Sequence, residues 1–128
     1  MIGDNRMPFL AWNDSDFAAC LEVLPETDEY GISYTYCVDR DGLRLTVTVF
    51  PYDSDIYLDL FREGVANALF EMKLTDCSGT RYVSDSRGEY LEFAPSKVFG
   101  SRYDRTSPIP YGIRLSVNPC ISIRLFTT

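Results

Sequence analysis

The sequence contains no histidine among its 128 residues. Histidine is the base in Ser-His-Asp and Cys-His catalysis and a common ligand of zinc and iron, so the chain alone cannot build these sites. It also has no glycine-rich phosphate loop, no nucleophile elbow and no dinucleotide fingerprint. We therefore expect no cofactor, no metal centre and no histidine-dependent enzyme.

Closely spaced cysteines and long apolar runs are missing too. Cys20, Cys37, Cys77 and Cys120 are too far apart to form a zinc-binding pair of the C-x₂₋₄-C kind. No apolar run reaches the roughly 18 residues of a membrane span, and residues 1–8 lack the apolar core of a secretory signal. We therefore expect a cytoplasmic protein whose reduced cysteines act mostly as small hydrophobic side chains.

Basic residues are outnumbered, with 12 Lys and Arg against 19 Asp and Glu and a formal net charge of −7. A field of this sign repels phosphates, so we expect neither nucleic acid nor an anionic membrane as a partner. The excess is uneven along the chain. Residues 1–64 hold thirteen acidic and four basic side chains, whereas residues 65–128 hold six and eight.

What the sequence does contain is period-two alternation of apolar and polar residues. It predicts an all-β, mainly antiparallel fold: one domain over residues 1–128, a β-sandwich or small barrel of about seven or eight strands. The clearest signal is a hairpin that joins residues 32–38 to 43–49 through the turn Asp39–Gly42. Further strands are predicted over residues 56–61, 68–75, 80–84, 89–93, 113–117 and 121–125.

Two segments fit more than one structure. Residues 61–72 also show helical spacing, but a strand over 68–75 is favoured because β-like segments lie on both sides. Near the N-terminus, Phe17, Cys20, Leu21 and Leu24 fit one face of a short helix. Such a helix would be capped by Asp14 and would end before Pro25, while a strand over 17–24 fits equally well.

Carboxylate pairs are the remaining candidates for chemistry. They are Asp14 and Asp16, Asp39 and Asp41, Asp53 and Asp55, and Asp85 near Glu89. The second and third pairs flank one strand, which is about 26 Å long at 3.3 Å per residue, so they cannot share a calcium ion. Ordinary turn chemistry is favoured, and a histidine-independent carboxylate enzyme stands third among our functional hypotheses.

Our first hypothesis is a non-enzymatic protein-binding module with an acidic N-terminal face. Residues 14–29 hold six carboxylates with aromatic side chains nearby, a combination that suits binding to a basic protein. An intracellular inhibitor or immunity-type protein that masks a basic toxin or nuclease has this size and charge. The predicted partner-binding residues are Trp12, Asp14, Asp16, Phe17, Glu26, Asp28, Glu29 and Tyr30.

The second hypothesis is a domain that binds a small anionic ligand. Residues 95–111 contain three prolines and no periodicity, which predicts a long loop, and such loops tend to be functional. Basic and aromatic side chains alternate there, as they do where proteins bind phosphates and stack on rings. The predicted ligand-binding residues are Lys97, Arg102, Tyr103, Arg105 and Tyr111.

Overall fold

The computed structural model describes residues 10, 12–96 and 108–127, which form two antiparallel sheets and one short helix. The five-stranded sheet has the order β1-β2-β3-β4-β5 and the four-stranded sheet the order β6-β7-β8-β9. The predicted all-β, sandwich-like fold is confirmed. The elements are α1 (Asp14–Leu21), β1 (Glu26–Thr27), β2 (Tyr34–Arg40), β3 (Leu43–Phe50), β4 (Asp55–Arg62), β5 (Phe70–Leu74), β6 (Thr80–Asp85), β7 (Gly88–Phe93), β8 (Tyr111–Ser116) and β9 (Ser122–Thr127).

The predicted hairpin is confirmed as β2 and β3. Arg40 pairs with Leu43, which leaves Asp41 and Gly42 as a two-residue turn with φ angles of 53° and 76°. Positive φ at both positions is the type I′ geometry that matches strand twist, and Asp-Gly adopts it readily. The turn fixes the register, so Tyr36 and Val38 point into the core while Cys37 and Asp39 point outward.

The strand prediction for residues 68–75 is also confirmed, because Phe70–Leu74 pairs with β4 as strand β5. The described part of the chain has nine strands, slightly more than predicted. The difference comes from β1, whose two residues are too short to show an alternating pattern.

At the N-terminus the structure contains the helix and not the strand. The cap is Asn13 and not Asp14: its side-chain oxygen accepts hydrogen bonds from the N–H groups of Ser15 (2.9 Å) and Asp16 (3.1 Å). The helix ends at Glu22, which is left-handed with φ of 62°. Leu24 therefore lies beyond the helix and is 84% exposed, so its predicted place on the buried face is wrong.

The hydrophobic core lies between the two sheets, and α1 closes one side of it. The helix packs against β2, β6 and β7. Phe17 is its main core residue, with ring centroids 5.6 Å from Tyr36 and 5.9 Å from Phe93. The opposite side, between β5 and β9, is open as an apolar groove of about 410 Å³. Its apolar lining residues are Leu60, Phe70, Ile113, Ile121, Ile123 and Leu125.

Candidate functional site

Strand register gathers three separate loops at one end of the five-stranded sheet. Tyr34, Val49, Ile56 and Leu74 lie side by side across β2 to β5. The segments 28–33, 51–54 and 75–79 therefore meet at the same end. The chain before α1 joins them, because the Leu10 N–H donates to the Pro51 carbonyl (3.0 Å) and the Trp12 ring lies 4.8 Å from that of Tyr34.

We call this region the acidic end and define it as the described residues of 10–16, 26–34, 50–55 and 74–76. It holds eight carboxylates and neither lysine nor arginine, while Lys73 is the nearest cation along these segments. With so many like charges and no internal counter-ion, the region projects a negative field towards solvent. The eight carboxylates belong to Asp14, Asp16, Glu26, Asp28, Glu29, Asp53, Asp55 and Asp76.

The other end of the sandwich is different, because three of its arginines are paired with carboxylates. The guanidinium of Arg40 lies 2.6 Å from Glu22, that of Arg44 lies 2.8 Å from Asp39, and that of Arg87 lies 2.9 Å from Asp85. Arg40 also donates to the Val117 carbonyl (2.6 Å), so with its Glu22 contact it ties the end of α1 to the segment after β8. The negative field is thus concentrated at the acidic end.

The structure divides the predicted partner-binding residues between surface and core. Asp14, Glu26 and Glu29 are exposed and Asp16 is half-buried, while the Tyr30 side chain is 76% exposed. Phe17 is only 1% exposed, so it belongs to the core and we remove it from the surface. Trp12 is half-buried, with its ring 5.4 Å from that of Phe17.

Asp28 has a structural role within this surface. Its Oδ1 accepts hydrogen bonds from the N–H groups of Ile32 (2.6 Å) and Ser33 (3.0 Å) and closes the loop between β1 and β2. Desolvation opposes the charged form, but these N–H groups outweigh it, so the pKa of Asp28 lies below its usual value. The loop that carries Glu29 and Tyr30 is held in shape by this carboxylate.

Sequence reasoning missed Asp53, Asp55 and Asp76 as part of the same surface. The Asp76 N–H donates to Asp55 Oδ1 (3.1 Å), and the Cys77 N–H donates to the Ser54 carbonyl (2.7 Å). Ser54 and Asp76 both adopt left-handed backbone, with φ of 60° and 53°. The signal that would have found them is the hairpin register, which places the turn after β3 beside the loop before β2.

The acidic end does not form a metal cage in the described residues. No group of three His, Cys, Asp or Glu side chains there is arranged to hold an ion. Asp39 and Asp55 lie near opposite ends of β3, opposite Arg44 and Phe50 respectively, as the strand-length argument predicted.

The second predicted site falls mostly outside the described residues. Lys97, Arg102, Tyr103 and Arg105 all lie in the segment 97–107, for which the structure gives no description. Tyr111 is the first residue of β8 and is 40% exposed. An anion-binding loop over residues 97–111 stays a prediction.

A mixed-charge groove of about 710 Å³ lies at the other end of the sandwich, between the β2–β3 turn and the β4–β5 loop. It is the place where a carboxylate enzyme would be sought, because Asp39, Asp41 and Glu63 line it. The hydrogen bond from Arg44, however, holds the pKa of Asp39 below its usual value. The hydrogen bond thus favours the charged carboxylate, which is not the form that a general acid needs.

Comparison with known proteins gives a likeness in fold. No protein-family model matches the chain, and no curated protein matches it. A solved structure that is similar is a chain of the contact-dependent growth inhibition toxin–immunity protein complex from Klebsiella pneumoniae 342. The match has a TM-score of 0.71 and 14% sequence identity, and it covers 95% of this chain and 100% of that chain. The two chains share their overall architecture.

A membrane-spanning helix is not found in the described residues, where α1, with eight residues, is the sole helix.

Proposed function

We propose that this protein is a non-enzymatic binding module of the immunity type, which binds a basic toxin domain through its acidic end. The observation that carries the proposal is the set of eight carboxylates without a lysine or arginine among them. The likeness in fold to a chain of a toxin–immunity complex supports the same function. The net charge of −7 and the absence of histidine favour the inhibitor over the toxin.

The geometry suits fast capture of a cationic surface. Opposite charge across an interface raises the association rate far more than it raises the lifetime of the complex. Tyr30 adds a short-range contact to this electrostatic attraction. Its side chain is exposed, so it can bury a large ring against a partner and still donate a hydrogen bond. Asp28 and the linked Asp55–Asp76 pair hold the surrounding loops in a defined shape, which lowers the ordering cost of binding.

Two double variants test the surface with matched changes in charge. Glu29→Gln with Asp53→Asn alters two exposed carboxylates at the acidic end, and Asp41→Asn with Glu63→Gln alters two exposed carboxylates at the other end. After the partner has been captured from native cells and purified, stopped-flow kinetics at low salt should show association slowed by about tenfold for the first variant only. Equal association rates for both variants would contradict the proposal.

A growth assay separates the inhibitor from the toxin. Expression of this chain alone should leave cell growth unaffected. When the gene of the captured partner is expressed and arrests growth, co-expression of this chain should relieve the arrest. Growth arrest by this chain itself would show that the assignment as an immunity-type protein is wrong.

Tyr30→Ala should keep the association rate but shorten the lifetime of the complex, because the lost contact is short-ranged.

A further inference from the structure

Strand β5 is one edge of the five-stranded sheet, and its alternation of apolar and charged residues is symmetric about Met72. Phe70, Met72 and Leu74 point inward and are half-buried, while Glu71 and Lys73 are exposed on the outer face. One side of β5 pairs with β4, and no strand of the described residues pairs with the other side. An unprotected edge of this kind is a template for pairing with another strand.

The outer face of this edge carries an unfavourable pair of charges. Glu71 lies directly opposite Asp59 of β4, and like charges in this position destabilise a sheet. Neither carboxylate forms an ion pair with a described residue. Lys73 lies opposite Tyr57, with its Nζ 5.4 Å from the centre of that ring. The free edge thus presents one acidic and one basic side chain, two residues apart.

We propose that β5 pairs antiparallel with β5 of a second copy of this chain, about a two-fold axis at Met72. In this register Glu71 of each copy lies opposite Lys73 of the other, and Phe70 lies opposite Leu74. Directly opposed side chains in an antiparallel pair have Cβ atoms about 4.5–5.5 Å apart, close enough for ion pairing. Because Glu71 and Lys73 carry opposite charges on the two sides of Met72, the strand is complementary to a reversed copy of itself, as a two-fold dimer requires.

The inner side of the same edge supports this occupant. The apolar groove between the sheets opens beside β5, and the large side chains near its mouth are uncovered: Leu69 is 56% exposed and Leu125 is 85% exposed. Phe70, Met72 and Leu74 of a second copy would extend the apolar layer at this opening. Covering this opening would remove more apolar area from water than pairing of the two strand edges alone.

The pairing leaves the eight carboxylates of the acidic end outside the paired strands, and Leu74 is the one residue of the acidic end that takes part in it. Strands in an antiparallel pair run in opposite directions, so the acidic ends of the two copies lie at opposite ends of the dimer. Dimerisation therefore does not require the proposed partner. Dimerisation is measured on this chain without a partner. A negative result would therefore contradict the dimer and leave the proposed function untouched.

Light scattering coupled to size exclusion tests the pairing. At high micromolar concentration the protein should elute with twice its chain mass of 14.6 kDa. Glu71→Lys and Lys73→Glu should each weaken dimerisation by about tenfold or more, because each creates two like-charge contacts. A mixture of these two variants restores opposite charges in both contacts and should form a heterodimer.

A charge reversal on β1, the opposite edge of the same sheet, is the matched control. Glu26→Lys should leave the dimer intact, because Glu26 is exposed and three strands lie between β1 and β5. Circular dichroism checks that each variant is folded. A monomeric wild-type protein, or a mixture of the two β5 variants that stays monomeric, would overturn the proposal. So would a dimer that Glu26→Lys disrupts and the single β5 variants do not.

Discussion

Burial separates the four cysteines into two groups of different reactivity. Cys37 and Cys120 are exposed, whereas Cys20 and Cys77 are buried. Burial, aided by the charges of Glu89 and Glu22, raises the pKa of Cys20 to about 12. The thiolate is the reactive form, so Cys20 should be inert at pH 8. We expect iodoacetamide to label two thiols in the native protein and four in guanidinium, as measured by intact mass. Labelling of Cys20 as fast as Cys37 would contradict the structure.

Asp28 shows how one carboxylate can shape a loop. Asp28→Ala removes the acceptor for the N–H groups of Ile32 and Ser33, so we expect a lower Tm. Asp28→Asn keeps an acceptor oxygen, so its Tm should fall less than that of Asp28→Ala. The pKa of Asp28 is lower in the folded protein than in the unfolded chain, where it is about 4. The charge of Asp28 therefore stabilises the fold at pH values above about 4, and this stabilisation is lost as the pH falls through the pKa of the folded state. The stability gap between wild type and Asp28→Asn in urea unfolding should therefore narrow from pH 7 to pH 3. A gap that widened would refute this role.

Single residues were also where sequence reasoning failed most clearly. Phe17 and Leu24 were both placed by helical spacing, yet one is in the core and the other is exposed. Spacing identifies the face of a helix but not the residue where the helix ends, and the left-handed Glu22 ends it early. Aromatic composition likewise could not tell a buried Phe17 from an exposed Tyr30.

At the scale of elements, the start of α1 depends on its cap. The Asn13 side chain accepts two backbone hydrogen bonds, so Asn13→Ala should lower the free energy of unfolding by about 1 kcal/mol. Asn13→Asp keeps the acceptor and should retain most of the stability. Ser15→Ala is the matched control, because it alters an exposed helical residue without touching the cap. Urea unfolding measures all three, and a Ser15→Ala effect as large as that of Asn13→Ala would argue against the cap.

Elements were predictable where a local signal sufficed. The Asp41-Gly42 turn and the alternation on both sides of it determine a hairpin without help from the rest of the molecule. For β5 the local pattern was ambiguous between helix and strand, and pairing with β4 decided in favour of the strand. Backbone hydrogen bonds between strands are long-range contacts, so short segments like β5 take their structure from their neighbours.

At the scale of the whole molecule, the acidic end should reduce the stability of the free protein. Carboxylates close together repel one another, and salt screens this repulsion over about 10 Å at 0.1 M. Asp53→Lys at the acidic end should raise Tm by about 1–2 °C at low ionic strength, and the gain should vanish in high salt. Glu63→Lys makes the same change in charge beside Arg62 at the other end and should not raise Tm. Calorimetry measures Tm for both variants. An equal rise in Tm would show that stability depends on the net charge alone and not on where the carboxylates lie.

The sequence by itself determined the all-β class, the main hairpin, the short list of chemistries that a chain without histidine can perform, and the excess of acid in residues 1–64. These follow from residue type and local periodicity, which do not depend on distant contacts. The tertiary structure decided which carboxylates act together. Strand register brings Asp53, Asp55 and Asp76 beside residues 26–30, and it leaves Arg40, Arg44 and Arg62 at the far end. Charge counted along the chain thus becomes a field at one end, because electrostatic interactions depend on distance in space and not on separation in sequence.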